Sequence, residues 1–393
     1  MKKGLFIIVV LFGISVMLAQ FLLAQTFAAE AKTLKIGIIT SETGVMAPAF
    51  KSFSDAAKPV EDLLNQRGGV TVKGEKYNIK IVVQDDQSSP PGAVSAISRL
   101  IQDNIKFMYA PQFPVSNIAI SQAAEEAKIL RIKPLGVSKE EIGPALRYSF
   151  YASANSYCIP VCYSYLANKY PKVKKIAVIT PDDPGARLVQ EVARKEINAR
   201  GYDLVFWEAF KIGTEDFYPI LAKALEKKPD AIDMVISIAP WAAAVMNQSR
   251  ELGFTGPIFG AIFADTNILK GMLNKKYAYD IFHGGPDVLS PKMKPIVKDL
   301  RAIVEKQLKT TFNMDHAMPL EGLYPLMQAI EKAQSLDTDK VATTLENMKT
   351  IDTIYGKGTM TGQELWGINH VIRRPITLSR IMNGRVEFDY FEK

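Results

Sequence analysis

The sequence predicts an α/β protein made of two lobes, each a doubly wound parallel sheet. Short runs of β-branched and apolar residues alternate with segments of helical apolar spacing, and this alternation occurs in two consecutive blocks. Strands separated by crossover helices form parallel sheets with helices on both faces. The chain is also longer than one hydrophobic core usually serves, which favours two lobes over one.

Residues 1–29 are typical of a secretory signal peptide. Two lysines precede an uncharged apolar run over residues 4–23, and small residues allow cleavage after Ala28, Ala29 or Ala31. An apolar run of about twenty residues also fits an uncleaved membrane anchor. No cysteine follows the run to carry a lipid. We expect a cleaved Sec signal peptide and a periplasmic protein.

The charge balance excludes some classes of partner. The chain has 48 Lys and Arg residues against 41 Asp and Glu, and 46 basic residues remain once the two leader lysines are removed. This excess is spread along amphipathic segments and is not gathered into tracts. Binding to nucleic acid or to an anionic membrane surface is therefore not indicated.

The only cysteines are Cys158 and Cys162, four residues apart at the start of a predicted helix. An oxidising compartment permits a disulfide, but helical geometry holds the two Cβ atoms farther apart than a disulfide prefers. We expect two packed thiols. A framework of several disulfides is excluded.

The first lobe is predicted from strand, loop and helix units in succession. The run at 34–40 is β-branched and ends in a turn-rich Ser-Glu-Thr-Gly segment, and the run at 77–83 alternates as a strand does. The predicted strands are 34–40, 77–83, 105–109 and 129–132, and the predicted helices are 53–66, 92–102 and 117–127.

The second lobe repeats this order from residue 157 onward. The segment 231–237 has the composition of a buried strand, and Gly201 ends a helix. The predicted helices are 157–169, 185–200, 217–227 and 241–252, and the predicted strands are 175–180, 203–210, 231–237 and 258–263.

The last part of the chain holds a helical block and a strand-rich tail. Helices are predicted at 293–308, 320–334 and 340–348, and the tail at 355–391 is strand-like with a turn at Asn383-Gly384. The helical block is most economically placed on the first lobe, so the chain crosses between lobes more than once. The predicted first lobe is 30–151 plus 284–355, the second lobe is 152–283 plus 356–393, and the hinges lie near 150–153, 282–286 and 355–358.

Open parallel sheets bind ligands outside the carboxyl ends of their strands. Two lobes that face each other with those ends would enclose a cleft. The loops expected there are 41–50, 85–91, 111–116, 135–138, 240–241 and 263–266.

The order and spacing of several segments resemble the periplasmic binding proteins of branched-chain amino acid transporters, which have the type I periplasmic binding fold. The matching segments are 34–44, 85–86, 105–107, 129–134, 175–180 and 328–333. The resemblance runs from about residue 32 to the C-terminus. It implies two lobes joined by a three-crossover hinge, a small-molecule ligand, an inner-membrane ABC permease as partner, a monomer and no cofactor.

The resemblance breaks down at the residues that recognise an amino acid. In that family a hydroxyl after the third strand and a Thr after the fourth hold the ligand carboxylate, and these positions are Pro114 and Val137 here. The acidic residue that holds the ligand ammonium falls on Ile262. A small shift of alignment brings in three polar alternatives, Ser116, Ser138 and Asp265.

A buried ammonium without a carboxylate partner costs several kcal/mol. We therefore expect a monoanionic acid without an α-amino group, aromatic or aliphatic, held by backbone N–H groups at a helix start capped by Ser116 or Asn117. A branched-chain amino acid is the alternative ligand, and a periplasmic sensor is the alternative role. The residues expected to contact ligand are Phe113, Pro114, Val115, Ser116, Leu135, Val137, Ser138, Tyr157, Trp241, Ile262 and Phe263. The aromatic residues among them also suit core or interlobe packing.

Enzymatic function is not indicated. The three histidines, His283, His316 and His370, have no zinc-binding spacing, and no nucleophile elbow or phosphate loop opens a helix. His283 suits a structural role near a hinge. Asp85-Asp86 is a possible metal pair, but it more often forms a solvated turn or a helix cap.

Overall fold

The computed structural model describes residues 32–133, 138–285, 287–288, 290 and 293–391. The predicted signal peptide lies outside these residues. Within the described part of the chain, no helix combines the length and apolar character needed to cross a membrane.

Nine strands of the described chain form the first sheet. They are β1 (Lys32–Thr40), β2 (Val70–Val72), β3 (Glu75–Asp85), β4 (Phe107–Tyr109), β5 (Leu130–Lys133), β6 (Ser149–Tyr151), β12 (Ile351–Thr353), β13 (Gly356–Thr361) and β14 (Val371–Arg373). Their order is β12-β13-β14-β6-β5-β4-β1-β3-β2. Within this order, the neighbouring strands β14-β6-β5-β4-β1-β3 are all parallel to one another.

The second sheet has seven described strands. They are β7 (Lys175–Pro181), β8 (Asp203–Phe210), β9 (Ala231–Ile238), β10 (Ile258–Phe263), β11 (Ile281–Gly285), β15 (Ile376–Met382) and β16 (Arg385–Phe391). The order is β16-β15-β11-β10-β9-β7-β8. Strand β15 pairs antiparallel with both β11 and β16, and the other pairs are parallel.

Helices cover both faces of each sheet. Those with the first sheet are α1 (Ala47–Asp55), α2 (Ala57–Gln66), α3 (Pro90–Gln102), α4 (Pro114–Ala119), α5 (Ser121–Glu126), α11 (Pro295–Leu308), α12 (Met314–Ala333), α13 (Thr338–Glu346) and α14 (Gln363–Trp366). Those with the second are α6 (Cys158–Lys169), α7 (Pro184–Ala199), α8 (Tyr218–Glu226), α9 (Ala239–Glu251) and α10 (Thr266–Met272). Ile36 and Ile38 pack in one apolar core and Ile39 in another, as alternation along a strand requires.

The chain crosses between the two lobes three times. The crossings follow β6, β11 and β14, and the third is formed by Arg374 and Pro375. The predicted hinges at 150–153 and 282–286 coincide with the first two crossings, although Pro286 lies outside the described residues.

The expected third boundary at residues 355–356 is wrong. Strands β13 and β14 extend the first sheet from β6, and Tyr355 is buried in the core of the first lobe. Gly356, with φ of 133°, turns the chain between the antiparallel strands β12 and β13. Ile354 and Tyr355 therefore form a hairpin turn, residues 356–358 begin β13, and residues 356–373 belong to the first lobe.

Several element boundaries also differ from expectation. The helix predicted at 53–66 is two helices, α1 and α2, and the one predicted at 117–127 is the pair α4 and α5. Helix α12 begins at Met314, six residues before its predicted start, and contains Pro319 and Pro325. The Asn383-Gly384 turn is present, with positive φ at both residues.

Both cysteines are free and buried, as expected. The Sγ atom of Cys162 accepts a hydrogen bond from the Gly284 backbone N–H at 3.2 Å. Burial raises the pKa of the Cys158 thiol to about 12. The two thiols thus pack helix α6 against β10 and β11 and remain protonated.

Candidate ligand-binding site

The carboxyl ends of both sheets face a cleft between the lobes. Two adjoining cavities occupy it, which we name the aromatic cavity, of about 100 Å³, and the acidic cavity, of about 420 Å³. Residues of both lobes line each of them. The two cavities share Met46, Ile212, Ile238, Trp241 and Phe263.

The aromatic cavity is lined mainly by apolar side chains. Phe50, Phe113 and Pro114 come from the first lobe, and Trp241 and Phe263 come from the second. Phe263 also packs against the core of the first lobe, so it contacts both halves. Its other lining residues are Met46, Gln112, Asn155, Pro181, Asp183, Gly185, Ile212, Ile236, Ser237 and Ile238.

A hydrogen-bonded turn positions Met46 at the cleft. The Ser88 hydroxyl accepts from the Met46 backbone N–H at 3.0 Å and donates to the Thr43 carbonyl at 2.7 Å. Asp85 accepts from the backbone N–H groups of Glu42 and Gln87. The Asp85-Asp86 pair therefore ties two cleft loops together, and no described group of three or more potential metal ligands includes it.

The structure places four of the residues expected from the sequence on the cavities: Phe113, Pro114, Trp241 and Phe263. Leu135 and Val137 lie outside the described residues. Of the remaining five, Ile262 is 1% exposed and belongs to the core of the second lobe. Tyr157 bonds Thr361 through its hydroxyl at 2.7 Å and packs against Trp366, away from both cavities.

Val115, Ser116 and Ser138 also line neither cavity. Ser116 is fully buried inside α4, and the Ser138 backbone N–H donates to Glu141 at 2.8 Å. Ser116 and Ser138 are buried in the first lobe, and Val115 is partly exposed outside both cavities.

The capping residue expected for the helix predicted at 117–127 is wrong. Helix α4 begins at Pro114 with Phe113 as N-cap, so Ser116 and Asn117 are inside the helix. Proline favours this first helical position because it lacks an N–H and has a suitable φ. The Asn117 side chain instead donates to Glu141 at 2.8 Å and to the Tyr151 hydroxyl at 2.9 Å.

This buried network continues to Lys133, whose ammonium lies 2.5 Å from Glu141. Both side chains are almost completely inaccessible, and burial lowers the pKa of Lys133. The pair fixes the end of β5 against the helix α4. Lys133 is consequently committed to Glu141 and is not a lining residue of either cavity.

The acidic cavity has carboxylates on both of its sides. Asp265 follows β10 and caps α10, while Asp315 lies in the first turn of α12. Burial raises the pKa of Asp265 to about 6, helped by Asp287, and raises that of Asp315 to about 7, helped by Asp265. Glu215 lies at the exposed rim.

A third carboxylate lies opposite the start of α4. Asp183 caps α7, where its Oδ1 atom accepts from Ala186 at 3.0 Å, and burial raises its pKa. Gly185 follows it, and a Cβ atom there would come within 3.0 Å of the Pro114 ring. Glycine at this position allows the start of α7 to approach the first lobe.

The expectation that the cleft has no counter-ion for a positive charge is therefore wrong. Asp183, Asp265 and Asp315 all line it, and no lysine or arginine is among the described lining residues. The family resemblance placed the ammonium-binding position at Ile262. Asp265 lies three residues beyond it, and Asp183 and Asp315 lie at the starts of helices α7 and α12. Only Asp265 was among the alternatives.

The histidines have structural partners. His283 bonds the Thr266 hydroxyl at 3.0 Å, and burial lowers its pKa to about 4. His370 bonds Glu346 at 2.9 Å, and His316 completes a capping box with Asn313. A surface depression of about 490 Å³ lies at the opposite end of the second lobe, near the amino ends of its strands, and is separate from the cleft.

Comparison with known proteins identifies the family. The periplasmic binding protein family matches residues 33–385. A Leu/Ile/Val-binding protein of Rhizobium johnstonii is 24% identical over 332 residues, which are 83% of this chain and 87% of the relative. The chain belongs to the periplasmic binding protein family, and the expected type I fold with two lobes is confirmed.

Solved structures with the same fold bind different solutes. A branched-chain amino acid transporter substrate-binding protein of Streptococcus pneumoniae in complex with isoleucine has a TM-score of 0.72 and 18% identity, over 92% of this chain and all of its own. A solute-binding protein of an R. palustris ABC transporter in complex with 4-hydroxybenzoate has a TM-score of 0.76 and 16% identity, over 92% and 98%. At these identities the likeness concerns the fold.

Proposed function

We propose that this chain is the periplasmic solute-binding component of an ABC uptake system. It captures a small organic solute with an apolar or aromatic body by closing its two lobes. The observation that carries this proposal is the aromatic cavity, which is lined by Phe113 of the first lobe and by Trp241 and Phe263 of the second. Family membership over residues 33–385 supports the same role.

Hinge closure is expected because both lobes supply walls of the aromatic cavity. A solute in contact with Phe113 and Trp241 gains both contact surfaces only when the lobes are together. Its higher affinity for the closed form shifts an open–closed equilibrium of the free protein. A membrane permease then recognises the closed shape, and the solute leaves chemically unchanged.

The walls of the cleft bear on the charge of the solute. An acid without an α-amino group, expected from the sequence, fits the apolar walls, and the R. palustris protein with 4-hydroxybenzoate shows that the fold can bind one. However, the described walls carry carboxylates and no basic side chain, which disfavours an anion at the acidic cavity. A branched-chain amino acid supplies the missing cation but also needs a carboxylate partner.

Intrinsic fluorescence and mass spectrometry test the proposal together. Of the three tryptophans, Trp207, Trp241 and Trp366, only Trp241 is among the described lining residues of the cleft. We expect native mass spectra of freshly purified protein to show a retained small molecule, and its return to stripped protein to change the Trp241 emission. The Trp241→Phe variant should bind without that change. A protein that converts the molecule would contradict the proposed role.

A further inference from the structure

Strand β9 contains a bulge just before it reaches the cleft. Two of its residues, Met234 and Val235, lie opposite a single residue of β10, Gly260. The last residue of β9 that pairs with β7 is Asp233, directly before the bulge. The end of the strand, residues 236–238, lines the aromatic cavity. Bulges of this kind often re-aim side chains beside functional sites.

The bulge changes which face of the sheet the strand end presents. Ile232 and Met234 pack in one apolar core of the second lobe, as alternate residues of a strand do. Val235 and Ile236 are consecutive, yet both pack with the other core of that lobe. Without the extra residue, Ile236 would continue the row of Ile232 and Met234. The bulge therefore sets how the end of β9 faces the cavity.

The backbone of the bulge is strained. Val235 has φ of 54°, in the left-handed region that β-branched residues rarely adopt. Gly260 opposite has φ of 156°, and a Cβ atom there would lie 3.1 Å from the Val235 nitrogen. Such conformations persist only where the surrounding structure enforces them, and they are concentrated at functional sites.

A buried carboxylate enforces this conformation. Asp233 is completely buried, and its Oδ1 atom accepts from the Val235 backbone N–H at 2.7 Å. Its Oδ2 atom accepts from the Tyr163 hydroxyl at 2.6 Å. The neighbouring residue on helix α6, Cys162, donates to the Gly260 carbonyl at 3.5 Å. Helix α6 therefore holds both strands at the bulge.

A carboxylate is otherwise unfavourable at this position. Burial raises the pKa of Asp233 to about 7, so its surroundings oppose ionisation. Ala231 and Val235, two residues to either side, pack in an apolar core. An apolar residue at 233 would suit that core but could not accept from the Val235 N–H. The strand conformation thus explains why the position is polar.

We propose that Asp233 is a positioning residue, which holds the bulge so that residues 236–238 form one wall of the aromatic cavity. The inference rests on the proposed function, because it concerns how the solute pocket acquires its shape. Asp233 itself lines neither cavity. It acts on solute affinity only through the backbone of β9.

Isothermal titration of the mature protein tests this role. The probes are isoleucine, 4-hydroxybenzoate and any molecule that native mass spectra show the fresh protein to retain. Asp233→Ala removes the acceptor and allows β9 to straighten. We expect it to weaken probe binding by about tenfold or more, since the loss of one methylene-sized contact in an apolar pocket costs about that much. Asp233→Asn keeps an acceptor oxygen and should retain the parent affinity.

Val235→Gly separates positioning from general stability. Glycine adopts positive φ without strain, so the bulge no longer depends on the carboxylate. The double variant Asp233→Ala/Val235→Gly should recover most of the affinity that Asp233→Ala loses. It should do so although the loss of a buried valine side chain lowers stability further. An aspartate with a merely structural role would show no such recovery.

Tyr163→Phe is a milder form of the test. It removes the hydroxyl that orients the Asp233 carboxylate and keeps the ring that packs edge-on against Phe259. Affinity should fall in the same direction but by less, and Val235→Gly should again restore it. This variant carries the test where Asp233→Ala does not fold.

Leu221→Ala is the control for loss of stability. Leu221 is completely buried on helix α8, packs in a core of the second lobe and lines neither cavity. The change should lower the midpoint of urea unfolding, as Asp233→Ala does. Its probe affinity should equal that of the parent protein.

The outcomes separate the inference from the proposed function. Parent affinity in folded Asp233→Ala or Tyr163→Phe, or a loss that Val235→Gly does not restore, would overturn the positioning role and leave solute capture standing. An equal loss in Leu221→Ala would also overturn it. Absence of binding by both named probes, with no small molecule retained by the fresh protein, would overturn the proposed function together with the inference.

Discussion

At the scale of single residues, the cleft has one part lined mainly by apolar side chains and another that includes carboxylates. Trp241 and Phe263 line both the aromatic and the acidic cavity, so they can cover the apolar body of a solute held in the cleft. Large aromatic side chains provide much of the binding energy in such sites, because they bury a wide area with few rotatable bonds.

Trp241 is expected to dominate affinity. Trp241→Ala should weaken solute binding by about 10- to 100-fold, because it removes a wall shared by both cavities. Trp207→Ala is the control, since Trp207 stacks with Arg194 at 3.6 Å and lines neither cavity. Titration of the retained solute measures both, and equal affinities for the two variants would contradict this role.

Asp265 is expected to lower stability at neutral pH. Its pKa rises from an ordinary 3.8 to about 6, so folding favours the protonated form, and the free energy of unfolding falls as the pH rises through this interval. Asp265→Asn keeps a capping side chain and should raise stability by about 1 kcal/mol near pH 8 without solute. Urea unfolding measures this, with Asp216→Asn as the control because Asp216 is exposed and lines neither cavity. A loss of stability in Asp265→Asn would contradict it.

The cavity-lining residues that the sequence predicted lie at or within a few residues of the carboxyl ends of strands. Phe113, Pro114, Trp241 and Phe263 were found because strands end at a common edge of a sheet. Asp183 and Asp315 were missed because an acid at a helix start is usually explained as a cap or as a favourable charge near the helix dipole. The loop after β7 was a usable signal for Asp183, since that strand was predicted.

At the scale of elements, the third crossing is anchored by a buried ion pair. Arg374 bonds Glu321 of α12 at 2.7 Å, with both side chains at most 1% exposed, and its guanidinium lies 3.9 Å from the centre of the Tyr355 ring. The crossing is therefore held against the first lobe, and motion between lobes has to occur beyond it, toward β15.

Breaking this pair should be costly. Glu321→Ala leaves Arg374 buried without its partner and should lower the free energy of unfolding by about 3–5 kcal/mol. Asp299→Ala breaks the exposed pair with Arg67 and should cost less than about 1 kcal/mol. Urea unfolding of both variants checks the difference, and similar losses would contradict the assigned role.

The position of this crossing was the least predictable part of the fold. Alternating apolar runs predicted nearly all of the strands and helices, because the pattern is local. Which sheet an edge strand joins depends on pairing over long sequence distances, as between β14 and β6 at Val371 and Tyr151. The two glycines at 356 and 358 indicated a break in the chain, but a hairpin and a hinge have the same local signal.

At the scale of the whole molecule, three crossings join two lobes that share no sheet among the described strands. The contacts between lobes at the cleft include Phe263 on the first-lobe core and Gly185 beside Pro114. The lobes are accordingly expected to move as rigid bodies about the crossings.

Small-angle X-ray scattering of the mature protein, stripped of solute and then saturated with the molecule it retains, tests solute capture by closure most directly. The account predicts that the radius of gyration falls on saturation and that Trp241→Ala shows no fall at the same solute concentration. An unchanged radius in a protein shown by titration to be fully occupied would contradict it.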